Sequence, residues 1–294
     1  VFGTVKAAII GICAGAALLV LARAAAPETP LERGGYLVNT IAGCGRCHTP
    51  RDSAHKPMAA MQLAGGFEFD DEVIGHVVGP NITPDRETGI GGWAEAQIIT
   101  ALRNGKRPDG TTIGPPMPIA FYRNLSDRDA VAIAAYLHSL KPVRHAVPRT
   151  QYKIPLPPNY GPLVTHVEEP ARDDPLAYRA YLAGPLGHCL GCHTPFGKNG
   201  QLLDMSQPFA GGRELPDYCH PGAVTVSRNI TSDPDAGLGK WSDDDIKRAL
   251  TAGIRPDGTR LSCTMPFEWY ARLIPTDLDA LVAFVRTVKP LKTP

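Results

Sequence analysis

Ala130, Ile133, Ala134, Leu137 and Leu140 recur at three- and four-residue spacing, the apolar stripe of an amphipathic helix. The stripe returns at Leu278, Leu281, Val282, Val285 and Val288. Ser126 followed three later by Asp129, and Thr276 followed by Asp279, supply capping-box starts for these two helices. A middle helix is predicted after Trp93, carrying Ile98, Ala101 and Leu102, and another after Trp241, carrying Ile246, Ala249 and Leu250. Between each middle helix and the Met-Pro that follows, the chain is dense in Gly and Pro. No stretch alternates apolar and polar residues over a useful strand length, so the pattern predicts an all-α fold.

The first 26 residues follow a different pattern. Ala7 to Ala22 is a run of 16 uncharged, mostly apolar residues between Lys6 and Arg23. A membrane-spanning helix needs about 20 residues and a signal-peptide core about 7–15. Val1 to Val5, with Lys6 snorkelling, extends the run to spanning length. Ala24-Ala25-Ala26 has the small side chains of a cleavage site, but Pro27 directly after it opposes processing. Residues 1–26 are therefore expected to be an uncleaved membrane anchor, with a removed signal peptide as the alternative. Either way the rest of the chain is exported.

The two helical patterns belong to an internal repeat. Tyr36-Leu37 and Cys44-Gly45-Arg46-Cys47-His48-Thr49-Pro50 match Tyr181-Leu182 and Cys189-Leu190-Gly191-Cys192-His193-Thr194-Pro195 at an offset of 145. The offset then becomes 148, pairing Asn81-Ile82-Thr83 with Asn229-Ile230-Thr231 and Trp93 with Trp241. It also pairs Arg107-Pro108-Asp109-Gly110-Thr111 with Arg255-Pro256-Asp257-Gly258-Thr259, and Met117-Pro118 with Met265-Pro266. Between the copies, prolines at 148, 155, 157, 158, 162, 170 and 175 predict an extended, semi-rigid spacer. The expected organisation is a domain over 28–146, a linker over 147–175 and a second domain over 176–294.

Composition narrows the function. Lys and Arg number 30 against 29 Asp and Glu, a net charge of +1, which argues against a nucleic-acid binder. Apolar residues at 43% supply real cores, while 30 Gly and 29 Pro fit short helices joined by turn-rich loops. Phosphate loops, dinucleotide fingerprints and zincin motifs are absent from the sequence.

Cys-x-x-Cys-His, twice and in register, is the pattern of covalent haem attachment: two thiols add to the haem vinyl groups and the adjacent His ligates the iron. A zinc site would need a fourth ligand of fixed spacing, and a thioredoxin-like motif a βαβ context. Two c-type haems are thus expected, on Cys44, Cys47 and His48, and on Cys189, Cys192 and His193. Of the five Met, only Met117 and Met265 are equivalent between copies, each in a Pro-bounded loop ahead of the final helix. They are the expected second axial ligands, a pairing that raises the potential and suits electron transfer. His76, His138, His166 and His220 lack counterparts and are assigned surface or supporting roles. Trp93 and Trp241 either donate their indole N–H to a haem propionate or pack in the core. Arg107 and Arg255 either pair with propionates or sit in solvated turns, and Asn81 and Asn229 either cap a loop or meet the haem edge. Of the remaining cysteines, Cys13 falls in the apolar segment. Cys219 and Cys263 are expected to form a disulfide beside the Met265 loop, or to be two free thiols.

With these elements in place, the chain resembles the multihaem cytochrome c subunits of bacterial periplasmic membrane-bound alcohol, aldehyde, gluconate and fructose dehydrogenases. The resemblance covers about residues 30–145 and 174–294. It implies class I cytochrome c domains, each an all-α wrap around one haem. By motif position it also implies Cys44, Cys47, His48 and Met117 for the first haem and Cys189, Cys192, His193 and Met265 for the second. Many members carry three such motifs; this sequence has two. The expected function is a dihaem relay in the bacterial inner membrane, its haem domains on the periplasmic side. It would take electrons from a dehydrogenase catalytic subunit toward a quinone, cytochrome or terminal oxidase, without catalysis on an organic substrate. The competing readings are an independent anchored shuttle to a terminal oxidase, and a dihaem peroxidase or thiosulfate-oxidising enzyme with an open haem.

Overall fold

The computed structural model describes residue 3 and residues 28–171, 173–198 and 202–293. The expected anchor or cleavage site, with Cys13, lies outside the described residues. Among the described residues no helix is long and apolar enough to cross a membrane.

Helix α1 (Pro30–Asn39) opens on a complete capping box, Thr29 accepting from the Glu32 amide while Glu32 reaches back, with Pro30 at the first position. After α2 (Gly45–His48), α3 (Glu95–Asn104) and α4 (Ile119–Tyr122), the chain enters α5 (Asp127–Ser139), capped by Ser126 as its sequence predicts. The second half repeats the order as α6 (Pro175–Tyr181), α7 (Cys189–His193), α8 (Asp243–Ala252), α9 (Phe267–Tyr270) and α10 (Pro275–Thr287). Thr276 does not cap α10. Pro275 takes the first helical position and Ile274 precedes it, so the helix begins before the predicted start. Asp279 is free to pair with Lys247 instead.

The fold is mostly helical but not all-α. Strands β1 (Glu68–Asp71), β2 (Gly75–Val78) and β3 (Gln151–Tyr152) form an antiparallel sheet in that order, and β4 (Glu214–Pro216) pairs with β5 (Val224–Val226). At two to four residues each, these strands are shorter than the window in which alternation can be read.

Helices α1 and α5 cross at Gly34, where a Cβ would stand 1.9 Å from the Ala132 carbonyl oxygen. Leu37 and Val38 on α1 and Ala130, Ile133, Ala134 and Leu137 on α5 bury the stripe predicted from spacing. The Pro-rich segment is extended but is not a free spacer. It pairs with β2 through β3, exchanges two hydrogen bonds between Val164 and Asn104, and sends Tyr160 Oη to the Ile113 carbonyl at 2.8 Å. With Val167 N donating to Asp127 as well, it is strapped along the first half.

The two halves share one hydrophobic core, in which Leu37, Val38 and Ile41 join Tyr181, Leu182, Leu186, Trp269, Tyr270 and Leu281. Their contacts are reciprocal. Tyr36 donates to Asp277 at 2.7 Å, and its repeat equivalent Tyr181 donates to Asp129, the equivalent of Asp277, at 2.8 Å. Ser126 N donates to the Tyr181 hydroxyl at 3.0 Å and Ile274 N to that of Tyr36 at 3.4 Å. Such exchange is what a two-fold relation produces. It becomes unequal where Arg33 meets Asp129 in a buried bidentate pair, while the matching Tyr178 gives Asp277 a single hydroxyl.

Candidate functional site

Cys44 and Cys47 stand three apart on the turn that opens α2, and Cys189 and Cys192 likewise on α7, so each pair of thiols shares a helix face. Burial pushes the Cys44 and Cys189 thiols up to about 12, keeping them neutral. His48 follows in the same turn and is buried; its Nδ1 donates to the Pro80 carbonyl at 2.8 Å. His193 is half-buried and donates Nδ1 to the Arg228 carbonyl at 2.6 Å, and Arg228 is the repeat equivalent of Pro80. A carbonyl only accepts, so Nδ1 carries the hydrogen in both rings and Nε2 keeps its lone pair for a metal. Burial lowers the proton affinity of both imidazoles, which favours that neutral form.

The Thr-Pro after each His is structural. Thr49 Oγ1 accepts from Leu63 N at 3.0 Å and Thr194 Oγ1 from Phe209 N at 3.1 Å. Leu63 and Phe209 both take left-handed backbone, φ 63° and 65°, and the loops that follow close onto the motifs through Gly65 N to His48 O and Gly211 N to His193 O. Gly79 allows close approach here, since a Cβ would fall 1.8 Å from the Cys47 carbonyl oxygen.

Met117 and Met265 are half-buried against the shared core, in loops whose prolines, Pro118 and Pro266, have matching backbone angles. The loops are braced differently. Gly114 and Ile113 lie under Tyr152, Leu156 and Tyr160 of the Pro-rich strap. In the second half Cys219 and Cys263 are joined by a disulfide, and Thr264 Oγ1 donates to the Pro216 carbonyl at 2.8 Å.

The other candidate residues make contacts of their own. Asn81 and Asn229 are loop caps: each side-chain oxygen accepts from a Thr two residues on, and each amide donates to the segment after the final helix, at Val143 and Leu291. Arg107 and Arg255 fold back on their own Asp-Gly-Thr turns. Trp93 rests half-buried on the core and Trp241 is half-buried. His76 faces Asp70, His166 faces Asp127 and His220 faces Asp217 at the surface, and His138 lies in the last turn of α5.

Two residues invisible to the repeat stand beside the motifs. Arg51 lies 4.8 Å over the Phe67 ring, and Arg213 lies 4.2 Å over Phe196. Phe196 is the repeat equivalent of Arg51, and Arg213, following Gly211-Gly212, is that of Phe67, so the cation and the ring have exchanged places. No pattern matching identical residues could find them. The Nε atoms of Arg46, Arg51 and Arg213 and Nη1 of Arg123 are shielded from solvent without an acceptor among the described residues.

The motifs also meet each other. Trp269 packs on the first, a Cβ at Gly45 coming 3.5 Å from its Nε1, and Phe121, its repeat equivalent, packs on the second, 3.0 Å from a Cβ at Gly191. Burial raises the Cys47 thiol, and Cys192 of the other half adds to that rise.

Residues 31–141 match the cytochrome c family. A diheme cytochrome c-type protein of Cereibacter sphaeroides is 31% identical over 264 residues, covering 84% of this chain and 83% of the relative. The chain belongs to the cytochrome c family. It is also similar to the fructose dehydrogenase cytochrome subunit of Gluconobacter japonicus, 30% identical over 90% of this chain and 54% of the relative. The cytochrome c subunit of the quinone-linked alcohol dehydrogenase of Gluconacetobacter polyoxogenes is 32% identical over 98% of this chain and 62% of the relative. The chain thus spans between half and two thirds of the length of these two dehydrogenase subunits.

A cytochrome c carries haem c through its Cys-x-x-Cys-His segment. The residues fit that group. Each segment offers two thiols on one face, an imidazole with Nε2 free and a thioether in a braced loop. The shielded guanidinium nitrogens require acceptors, and the carboxylates of a haem are anions of the kind they bind.

Proposed function

We propose that the chain is a dihaem c-type cytochrome, its haem domains over 28–146 and 176–294 joined by the strap of 147–175. It passes electrons from a dehydrogenase catalytic subunit in the periplasm toward a quinone, cytochrome or terminal oxidase, and residues 1–26 anchor it in the inner membrane. The observation that carries this reading is that the ligand set occurs twice: His48 and His193 each fixed through Nδ1 on equivalent carbonyls, and Met117 and Met265 each on the shared core. Haem supplies one-electron chemistry when bound. Each Cys-x-x-Cys-His segment would hold its haem through two thioether bonds, with His48 or His193 and Met117 or Met265 as the iron ligands, a set that would leave no position for substrate. The names of the fructose and alcohol dehydrogenase relatives support the dehydrogenase partner.

The test is a haem count with a redox titration followed in the near infrared. Two haems per chain, both showing the sulfur-to-iron band of Met ligation, are expected. One haem without that band, binding added cyanide, overturns the relay and requires a catalytic haem. The shuttle reading draws support from the diheme relative, matched over most of its length. Copurification separates the two: a relay subunit leaves the membrane with a stoichiometric dehydrogenase, a shuttle without one.

A further inference from the structure

Strand β5 repeats the register of β2 but not its surroundings. Glu214, Leu215 and Pro216 face Val226, Thr225 and Val224 as Glu68, Phe69 and Asp70 face Val78, Val77 and His76. Ser227 N donates to the Arg213 carbonyl and Asp217 N to the Ala223 carbonyl, so the main-chain groups of Val224 and Val226 point away from β4. In the first half the matching outer edge is filled by the strap. Thr150 Oγ1 accepts from Val78 N at 3.0 Å and donates to the Val78 carbonyl at 3.1 Å. Gln151 pairs with His76, and Lys153 N donates to the Ile74 carbonyl. Among the described residues no third strand joins β4 and β5, and Val224 and Val226 are 62% and 50% exposed. An uncharged Val-Thr-Val edge is a template for a further strand.

The filled edge also uses a charge that the open one leaves unmatched. Asp109 accepts from its own Thr111 and, at 3.4 Å, from Arg149, the residue before Thr150. Its repeat equivalent Asp257 keeps the bonds to Thr259 but forms no salt bridge among the described residues.

We propose that the outer edge of β5 is a docking strand for the dehydrogenase catalytic subunit, which adds an extended segment there as the strap adds β3 to β2. The inference rests on the subunit reading. The filled edge states what the segment carries: a Ser or Thr hydroxyl for Val226, in place of Thr150, directly after an Arg or Lys for Asp257, in place of Arg149. Main-chain hydrogen bonds then supply affinity and these two side chains specificity. A second copy of β5 lacks the pair, its Thr225 being preceded by Val224.

The experiment compares tagged full chains, wild type, Val226→Pro and Asp257→Asn, solubilised from membranes. The catalytic subunit retained per haem is measured by mass spectrometry and by its own dehydrogenase activity. Val226→Pro removes an N–H that the β4 ladder does not use, so haem content and unfolding midpoint should match wild type. Its affinity for the catalytic subunit is expected to fall about tenfold, because one edge hydrogen bond is lost and the proline ring blocks the incoming carbonyl. Asp257→Asn should fall less, and raising the salt should reproduce that fall in wild type. In the wild-type complex the Val224 and Val226 amides should gain protection from hydrogen exchange. Retention by Val226→Pro equal to wild type overturns the proposal, as does no gain in protection at the two amides. A wild-type dimer of this chain that Val226→Pro dissociates would make a second copy the occupant and also overturn it. If Val226→Pro does not acquire haem, Val224→Pro removes the neighbouring outward N–H, and the amide protection of the wild-type complex decides in either case. A wild-type chain that leaves the membrane without a dehydrogenase would instead defeat the subunit reading, and this proposal with it.

Discussion

Replacing Asp129 by Asn should cost far more stability than replacing its repeat equivalent Asp277. Both carboxylates are buried, at 0% and 2% exposure, and both accept a tyrosine hydroxyl from the opposite half. They differ in the second partner. Asp129 binds Arg33 through Nε at 2.7 Å and Nη2 at 2.9 Å, and Arg33 is itself only 2% exposed. Asp129→Asn leaves that guanidinium buried against a neutral amide, and stranding one member of a buried ion pair costs about 3–5 kcal/mol. Asp277 binds Tyr36 and Tyr178, both neutral, so Asp277→Asn strands no charge and exchanges two charge-assisted hydrogen bonds for ordinary ones, about 1–2 kcal/mol. Urea unfolding followed by far-ultraviolet circular dichroism reads both losses, with the midpoint shift taken at unchanged slope. Equal losses in the two variants, or a larger one in Asp277→Asn, would refute the argument that the unequal partners decide the energetics of this junction.

Gly34→Ala should destabilise by about 1–3 kcal/mol or more, the cost of overpacking, because the added Cβ would meet the Ala132 carbonyl at 1.9 Å. Arg179→Ala, the matching position on α6, should be near neutral by the same unfolding assay. Tyr160→Phe removes the hydrogen bond to the Ile113 carbonyl, about 1 kcal/mol, and should weaken the near-infrared band of one haem only; loss of both bands would show that the strap does not brace the Met117 loop specifically. Lowering the pH should release the strap. Against a desolvation that raises it, the Val167 amide, Arg103 and His166 hold the Asp127 carboxyl down at about 2, below its ordinary 3.8. A depressed folded-state value gives stability that is present above about pH 4 and lost as the pH falls toward 2. The protection of the Val167 amide, its exchange relative to an unstructured amide at the same pH, should fall across that window, and an Asp127→Asn chain should show reduced protection already at neutral pH.

The repeat, the two Cys-x-x-Cys-His patterns and the helices at 95–104, 127–139, 243–252 and 275–287 are legible in the sequence. Each of these is local: a motif of five residues, or an apolar period read within three turns. The short strands escaped because two to four residues carry too little alternation, and Thr276 misled because Pro275 starts its helix first.

The remaining features depend on contacts between residues distant in the chain. Arg51 and Arg213 came to equivalent places by exchanging positions with their aromatic partners, which a comparison of identical residues cannot see. The Pro-rich segment reads as a spacer in sequence, because proline restricts the backbone without naming what it will pack against, and only its bonds to Asn104, Ile113 and Asp127 make it a strap. Contacts such as Arg33 to Asp129, 96 residues apart, and Tyr36 to Asp277, 241 apart, arise where two packed surfaces meet, and no one-dimensional period encodes which residues those surfaces bring together.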